Sequence, residues 1–394
     1  MNCRRLLIAT LLGVLAASIG LRTVHAQTPT KMRVYLGTYT GQNSQGIYLS
    51  TLDLATGSLT KPELAAETTS PSFLAIHPSG KYVYAVGEMP EFQGKKTGAV
   101  SALAVDAASG KLKLINQQPS GGGGPCHVAV DPSGNCVLAA NYGGGSVCSF
   151  PIGDDGSLKE GGSVIQHKGS SVNEKRQKEP HAHSINVDKD GKYAFAADLG
   201  LDQVLVYKLD AAHGTIAPND PPHAKVAPGS GPRHFAFHPS GKFAYVINEL
   251  ANTVVAFEYN PHHGSLTEIQ SIGTLPRDFN GRSYTAEVVV HPSGKFLYGS
   301  NRSFDESNAA LGSIAVFAID EKTGKLTSTS HQSGGIKTPR NFAVEPTGKW
   351  LLVGNQAGDS VIVFAIDQKT GALTPTEHKI EVGAPVCIRF WPIK

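Results

Sequence analysis

The sequence has little charge and few residues that build helices. Of its 394 residues only 17% are Asp, Glu, Lys or Arg, whereas 44 are Gly and 24 are Pro. This composition excludes long solvent-exposed helices, coiled coils and disorder driven by charge. It is typical of a turn-rich, all-β protein.

Beyond its first 26 residues the chain has no excess of positive charge. The formal net charge is +3, and Arg4, Arg5 and Arg22 account for it, because the first 26 residues contain no acid. Nucleic acids and anionic membranes attract clustered positive charge. We therefore expect no nucleic-acid partner.

The first 26 residues have the pattern of a secretory signal peptide. Arg4 and Arg5 precede an apolar run from Leu6 to Gly20, and Val24-His25-Ala26 offers a small-residue cleavage site. The run is shorter than the roughly 20 residues that span a bilayer. We predict a signal peptide at residues 1–26, no membrane anchor after its cleavage, and a periplasmic or secreted mature chain.

Cysteines are too few for a disulfide scaffold. Beyond residue 26 the chain has Cys126, Cys136, Cys148 and Cys387, with no C-x-x-C spacing that would favour zinc. An oxidising compartment could pair an even number of thiols. The alternative that we favour is four buried free thiols.

Familiar catalytic motifs are absent. The chain has no G-x-S-x-G and no H-E-x-x-H, which argues against a serine hydrolase or a zinc peptidase. His181 and His183 have a spacing that could serve a metal on one strand face, but no third ligand is fixed by the local sequence. We expect no metal and no cofactor.

Two short motifs alternate along the chain. In the first, as in Phe73–Tyr84 and Phe235–Tyr245, two apolar alternations flank a Pro-Ser-Gly type of turn, which predicts a β-hairpin. In the second, a short turn ends in Gly-x-Leu or Gly-x-Ile. The turn glycines of the first motif are Gly80, Gly134, Gly191, Gly241, Gly294 and Gly348, and those of the second are Gly57, Gly110, Gly156, Gly214, Gly264, Gly324 and Gly371.

Each repeat therefore holds two hairpins over roughly 50 residues, which is the unit of a propeller blade. The second motif occurs seven times and the first motif six times. The missing hairpin is split between the termini, because Pro385–Phe390 matches the strand before the turn and Arg33–Gly37 the strand after it. The sequence predicts one all-β domain at 27–394, a seven-bladed β-propeller closed by pairing of N- and C-terminal strands in one blade.

Polar residues recur at the open end of the first hairpin, away from its turn. The first strand of a blade lines the central channel, so these ends converge at one channel mouth. Eight positions before the turn glycine are Ser72, Cys126, His183, Arg233, Ala286 and Arg340; seven or eight after it are Glu88, Asn141, Tyr142, Asp198, Asn248, Glu249, Asn301, Arg302, Asn355 and Gln356.

These residues also have structural explanations. Asn and Asp after a strand are good turn residues. The charged groups of Arg233, Glu249, Arg302 and Arg340 could form only a salt-bridge network between blades. The basic run of Lys175, Arg176 and Lys178 is typical of a solvated loop, although its proximity to His181 and His183 makes contact with an anionic ligand an alternative.

The chain resembles the lactonase family of seven-bladed propellers, typified by the 6-phosphogluconolactonase of the cycloisomerase type and including fungal carboxymuconate cyclases. The resemblance covers essentially the whole mature chain. It rests on Gly37-Thr-Tyr-Thr40, Glu179-Pro-His-Ala-His-Ser184, Gly231-Pro-Arg-His234, Asn248-Glu249, Asn301-Arg302 and Pro339-Arg-Asn-Phe342 in this order.

The resemblance implies catalytic roles for His183, Arg233, Glu249 and Arg302. The residue before Arg302 is Asn301 where the family has Asp, so a role for that acid is not carried over. We expect the following residues near the same mouth to bind substrate: His127, Asn141, Arg340 and Glu88.

The chemistry of these groups suits the opening of a lactone. Glu249 or neutral His183 could take a proton from water, while Arg233 and Arg302 stabilise the oxyanion or bind a carboxylate. We expect a monomeric, exported lactone hydrolase acting on a small sugar lactone or sugar acid. The alternatives are a muconate-type cycloisomerase or lyase, and a non-catalytic propeller that binds a ligand on the same face.

We predict that the mature protein begins near Gln27 and is found outside the cytoplasm, because the apolar run is too short to be retained as an anchor. Mass spectrometry of the protein purified from its native host would give the N-terminal residue. A mature form that keeps residues 1–26 would rule out this cleavage.

Overall fold

The computed structural model describes residues 29–303 and 312–393. The predicted signal peptide lies outside them. Within these two ranges the chain forms short strands and tight turns, and its helical content is a single 3₁₀ turn at Gln356–Gly358. No helix in this part of the chain is long and apolar enough to cross a membrane.

The strands follow one another in chain order. The first half of the chain contributes β1 (Lys31–Thr38), β2 (Gly46–Asp53), β3 (Glu63–Glu67), β4 (Leu74–Ile76), β5 (Tyr82–Gly87), β6 (Ala99–Val105), β7 (Leu112–Pro119), β8 (Pro125–Val130), β9 (Cys136–Asn141), β10 (Ser146–Pro151), β11 (Val164–Gln166), β12 (Ala182–Val187), β13 (Tyr193–Asp198) and β14 (Gln203–Asp210). The second half contributes β15 (Thr215–Lys225), β16 (Pro232–Phe237), β17 (Phe243–Asn248), β18 (Thr253–Asn260), β19 (Ser265–Gly273), β20 (Ser283–Val290), β21 (Phe296–Ser303), β22 (Gly312–Ile319), β23 (Leu326–Gln332), β24 (Pro339–Val344), β25 (Trp350–Asn355), β26 (Ser360–Ile366), β27 (Leu373–Glu381) and β28 (Pro385–Pro392).

These strands form seven four-stranded antiparallel sheets across residues 29–303 and 312–393. Six sheets take four consecutive strands each, beginning at β4, β8, β12, β16, β20 and β24. The first strands of neighbouring sheets contact one another in a closed ring, with β28 between β24 and β4. The predicted seven-bladed β-propeller is confirmed, with its innermost strands around a central channel.

The chain termini close the ring in the way that the repeat count predicts. Strand β28 pairs with β1, so that Val34 lies opposite Phe390 and Leu36 opposite Ile388. Val34, Leu36 and Ile388 are fully buried in one apolar cluster. The seam of the ring is therefore a complete sheet with a buried face, and neither terminal strand is left as an open edge.

Side chains of the first motif join several blades to the next. The Nε2 of the turn residue His238 is hydrogen-bonded to the Gly294 carbonyl, 2.8 Å away in the following turn, and the Tyr245 hydroxyl donates to the Gly324 carbonyl at 3.0 Å. Equivalent pairs are His77–Gly134, His291–Gly348, Tyr84–Gly156 and Tyr298–Gly371. The turn histidines are structural, as their distance from the channel mouth predicts.

A glycine is required in the second motif because of the neighbouring blade. At Gly324 the backbone φ is +70°, and a Cβ would lie 2.5 Å from the Phe243 ring of the preceding sheet. A side chain there would be strained and would push the two blades apart.

The four cysteines in the described ranges are buried free thiols, which confirms the favoured interpretation. Burial raises the pKa of Cys136 and of Cys148 to about 12. These thiols therefore behave as small apolar side chains in the packing between sheets.

Deleting Val386–Lys394 should lower the melting temperature far more than trimming an ordinary tail. The deletion leaves β1 with unpaired backbone groups and exposes the apolar surface that Ile388 covers. The matched control removes only residues 393–394, which costs one backbone hydrogen bond, from Ile393 to Lys31. Equal melting temperatures for the two truncated chains would show that the termini do not close the ring.

Candidate active site at the channel mouth

A β-bulge near the start of the inner strands aims side chains at one channel mouth. In β16, Pro232 pairs with Asn248 and His234 with Ile247, so Arg233 between them is the extra residue. Such bulges re-aim a side chain and are frequent next to active sites. The same position, eight residues before the turn glycine, is bulged at Cys126, His183 and Arg340.

The mouth contains a cavity of about 320 Å³, within the usual range of small-molecule sites. It unites five of the predicted site residues with four that were not predicted. Its lining is Glu88, His183, Glu249, Arg302 and Arg340, together with Cys126, Tyr142, Arg176 and Tyr284.

Glu249 is the centre of a buried ion cluster at this mouth. Its Oε2 accepts hydrogen bonds from Arg233 Nε at 3.0 Å and from Arg302 Nη2 at 2.9 Å, and its Oε1 accepts one from Arg176 Nη2 at 2.8 Å. Only 5% of Glu249 and 1% of Arg233 are exposed. One carboxylate thus holds three guanidinium groups that come from three different blades or loops.

The charges around Glu249 determine its protonation. Burial alone would raise the pKa of this carboxyl, but attraction to Arg302, Arg233 and Arg176 outweighs burial and lowers it to about 2. Burial lowers the pKa of Arg302 to about 9, although Glu249 opposes the shift. At neutral pH Glu249 is therefore ionised, fully occupied by its partners and a poor acceptor for a proton from water.

Backbone carbonyls of β20 hold two of the arginines in place. Arg233 Nη1 donates to the Ala286 carbonyl at 2.6 Å, and Arg302 Nη2 donates to the Thr285 carbonyl at 2.9 Å. The guanidinium planes are fixed before any ligand enters the cavity. A preorganised arginine stabilises developing negative charge without having to reorient.

A second cluster lies on the opposite wall of the mouth. The Tyr39 hydroxyl is 3.1 and 3.0 Å from the two carboxylate oxygens of Glu88, and Ser72 Oγ also donates to this carboxylate. The guanidinium of Arg340 lies over the Tyr39 ring, 5.4 Å from its centroid. Within residues 29–303 and 312–393, the two clusters together hold four arginines and two carboxylates, so two positive charges are in excess in them.

His183 lies where the cavity narrows and is 4% exposed. Burial, reinforced by repulsion from Arg233 and Arg340, holds the pKa of this imidazole well below its usual range. His183 is therefore neutral at pH 7 and can contact a ligand or a water as a hydrogen-bonding group. Its ring meets the Tyr142 ring edge-on, with 5.3 Å between the centroids.

The structure places His127 away from this cavity, in contrast to its predicted substrate-binding role. Its Nδ1 accepts a hydrogen bond from the Ile185 amide at 3.3 Å, and its ring packs on Phe73 with 4.1 Å between centroids. The bulge explains the difference, because Cys126 is the residue aimed at the mouth and His127, one position later, faces the other end of the channel.

Asn141 is also a structural residue rather than a cavity residue. It is fully buried, and its Nδ2 donates to the Ser120 carbonyl and to Ser146 Oγ, both at 3.0 Å. It joins the end of β9 to the start of β10 and to the connection that follows β7. Asp198 and Asn248 make local bonds within the turn after their strands, as the turn role predicts, whereas Asn301 and Asn355 bond to the carbonyls of Thr274 and Gly335 in the connections that precede their blades.

Arg176 is a charged cavity residue that the prediction of site residues missed. It belongs to the long connection between β11 and β12, and its Nη2 reaches Glu249 and also the Tyr142 hydroxyl at 3.0 Å. Its guanidinium lies 5.7 Å from the centre of the Tyr284 ring. The sequence contained one indication of this residue, because the basic loop lies close to the mouth. Arg176 does not occupy an equivalent position of the repeat, so the pattern did not single it out.

In residues 29–303 and 312–393 no three His, Cys, Asp or Glu side chains form a cluster that could hold a metal ion. His181 does not join His183 in a metal-binding pair. Its Nδ1 is 3.0 Å from the Tyr142 carbonyl, and its ring stacks on the Tyr142 ring.

The fold and the charged mouth define a seven-bladed β-propeller with a small-molecule site at one end of its channel. The family model described as "Lactonase, 7-bladed beta-propeller" matches residues 33–390. The chain belongs to this lactonase family.

Relatives from several bacteria are similar over almost their whole length. The chain is 38% identical to a 6-phosphogluconolactonase from Bacillus subtilis, over 92% of this chain and 99% of that protein. A solved structure from Bacteroides fragilis is 38% identical, with a TM-score of 0.85 over 93% of this chain and 99% of the other. The periplasmic gluconolactonase of Pseudomonas aeruginosa is 33% identical, with a TM-score of 0.84 over 92% of this chain and all (100%) of the other.

Replacing Glu249 by Gln should destabilise the fold by about 3–5 kcal/mol at pH 7, because the buried guanidinium groups of Arg233 and Arg302 and the partly exposed one of Arg176 lose their counter-charge. Since the native pKa is depressed to about 2, the stability from this carboxylate is complete above its ordinary pKa of 4.5 and is lost as pH falls toward 2. Denaturant unfolding from pH 7 to pH 2 should show a shallower decline for Glu249→Gln than for the wild type.

The matched control is Glu63→Gln, whose carboxylate is exposed and pairs with Lys111 at 3.2 Å. It should change stability by less than about 1 kcal/mol. If Glu249→Gln were no more destabilising than this control, the carboxylate would not organise the three arginines.

Proposed function

We propose that the protein is a lactone hydrolase that opens a sugar lactone with water outside the cytoplasm. One observation carries the proposal, namely the excess of fixed positive charge around Glu249 beside a neutral histidine. Attack of water on a lactone carbonyl creates an oxyanion, and the product is a carboxylate. Both carry the negative charge that this cavity favours.

In this proposal each arginine has a role that follows from its place in the cavity. Arg302 and Arg340 line the cavity and stabilise the oxyanion or bind the carboxylate at two points. Arg176, on its loop, contacts an anionic or hydroxyl group elsewhere on the sugar. Arg233 lies deeper, and Glu249 positions it together with Arg302.

The proton from the attacking water goes to a neutral imidazole rather than to Glu249. Three arginines occupy the Glu249 carboxylate, whose pKa is about 2, so this group attracts protons too weakly. His183 is neutral and lines both the cavity and its narrow floor. In this proposal it contacts the attacking water, and Glu249 acts as the positioning residue of the arginines.

Two observations support an extracytoplasmic, unphosphorylated sugar lactone as substrate. Residues 1–26 have the signal-peptide pattern, and a relative from Pseudomonas aeruginosa is named a periplasmic gluconolactonase. 6-Phosphogluconolactone is made in the cytoplasm, so an exported enzyme would not meet it.

A substrate panel tests the proposed function. Purified residues 27–394 would be assayed with glucono-1,5-lactone, its 6-phosphate and cis,cis-muconate, following acid release in a pH-stat and muconate by its ultraviolet absorbance. The proposal predicts fastest hydrolysis of the unphosphorylated lactone. Turnover of muconate alone would identify a cycloisomerase, and binding without turnover would identify a ligand-binding propeller.

Replacing Arg302 by Lys should lower kcat for lactone hydrolysis by roughly 10²-fold, because an ammonium cannot reproduce the planar fork that contacts an oxyanion and Glu249 together. The change keeps the positive charge and is measured by steady-state kinetics at pH 7. The matched control is Arg277→Lys in an exposed loop, which should keep wild-type kcat. Equal kcat values in the two well-folded variants would remove Arg302 from the mechanism.

A further inference from the structure

Below the mouth cavity the channel narrows to a neck of about 10 Å³. This volume is close to what one buried water molecule needs, so the neck has room for one water. Farther along, the channel widens into a cavity of about 300 Å³ at its other end. His183 lies at the upper side of the neck and His234 at the lower side, where His234 also lines the far cavity.

His234 is held by a buried carboxylate. Its Nδ1 is 2.8 Å from Glu287 Oε1, and this oxygen also accepts the Val288 amide at 3.0 Å, while Asn341 Nδ2 donates to Oε2. Burial would raise the pKa of Glu287, but the interaction and hydrogen bond with His234, together with attraction to Arg389 and Arg233, lower it. Since an ionised carboxylate only accepts hydrogen bonds, Nδ1 of His234 carries the proton and its Nε2 has a free lone pair.

His234 is better suited than His183 to receive a proton. Their ring centroids are 5.4 Å apart and the rings meet edge to face, so one water beside this ring pair in the neck could contact both. A positive charge on His183 would lie beside Arg233 and Arg340, and no carboxylate in the described part of the chain is bound to it. On His234 the same charge is stabilised by Glu287. Burial is the largest influence and lowers the pKa of His234, but the interaction with Glu287 opposes this, and the pKa is about 4.

The other polar groups of the neck are not suitable bases. Glu88 is engaged by Tyr39 and Ser72. Burial raises the pKa of the Cys126 thiol, so it stays protonated at neutral pH.

We infer that the neck holds the hydrolytic water and that His234, oriented by Glu287, is the general base that removes its proton, with His183 holding the same water from the cavity side. This inference rests on the proposed lactone hydrolysis and adds a catalytic residue to it. The pairing of an imidazole with a buried carboxylate is a common way to fix the tautomer and stabilise the imidazolium that forms.

The reaction balances with water and lactone alone. The water oxygen bonds to the lactone carbonyl carbon in the cavity above the neck, and its proton passes to His234 Nε2. As the tetrahedral intermediate collapses, the bond between this carbon and the ring oxygen breaks. The proton on His234 then goes to the departing oxygen, which becomes a hydroxyl group, and the product acid ionises.

Three variants test this assignment with glucono-1,5-lactone as the probe. His234→Gln should lower kcat by roughly 10²-fold or more with little change in KM, since the amide cannot take the proton. Glu287→Gln should lower kcat less, by roughly 10-fold. The control is His127→Gln, because His127 packs against His234 at 5.4 Å between centroids but does not line the neck. It should retain kcat within about 3-fold.

The pH profile separates catalysis from packing. The groups that face His234 are Glu287, Arg233, Arg340, His127 and His183. His234 acts only when neutral, so kcat should rise with pH through its pKa and then stay level. Removing the Glu287 charge lowers that pKa, so the acid limb for Glu287→Gln should move to lower pH. If the Glu287 carboxylate were purely structural, its replacement by Gln would reduce stability and leave the acid limb of the kcat profile at the same pH.

Thermal melting of all three variants checks their fold. If the wild type hydrolyses the lactone but folded His234→Gln keeps kcat within about 3-fold, His234 is not the base and lactone hydrolysis still stands. An unmoved acid limb in Glu287→Gln, or equal losses in His127→Gln and His234→Gln, would also overturn the assignment. A wild type that hydrolyses no lactone would refute the proposed function, and this inference with it.

Discussion

The buried Glu249 carboxylate is the interaction on which the whole site depends. It binds guanidinium groups from β16, from β21 and from the loop between β11 and β12, and it is nearly inaccessible to solvent. Without this carboxylate, three positive charges would face one another in a medium of low polarity. With it, their positions are fixed while the mouth keeps a net positive charge, which is the property an anionic ligand requires.

The propeller supplies the rigidity that such a cluster needs. Several blades are joined to the next by turn histidines and by tyrosines bonded to glycine carbonyls, as in Tyr245 and Gly324, and the terminal strands complete the ring. Because of the bulges at the start of the inner strands, two consecutive side chains point toward opposite ends of the channel. Arg233 reaches up to Glu249, and His234, one residue later, reaches Glu287 near the far cavity.

The sequence was sufficient to predict the blades, their number and the closure by the termini, because each depends on a repeated local pattern. It also predicted that His183, Arg233, Glu249 and Arg302 converge, since equivalent positions of a repeat meet at one end of the channel. It placed His127 at the mouth, whereas this side chain lies at the other end of the channel, because strand alternation does not reveal a bulge. Arg176 was missed since its contact with Glu249 arises from the path of a loop, which no local pattern determines.

A crystal structure of the protein soaked with gluconate, the product of glucono-1,5-lactone hydrolysis, would show directly whether the charged mouth is the active site. The predicted result is the gluconate carboxylate bound between Arg302 and Arg340, with its carboxyl carbon next to the neck between His183 and His234. Gluconate bound elsewhere, for example in the far cavity beside Phe342 and Arg389, with the mouth unoccupied, would contradict the assignment of the mouth as the site of lactone hydrolysis.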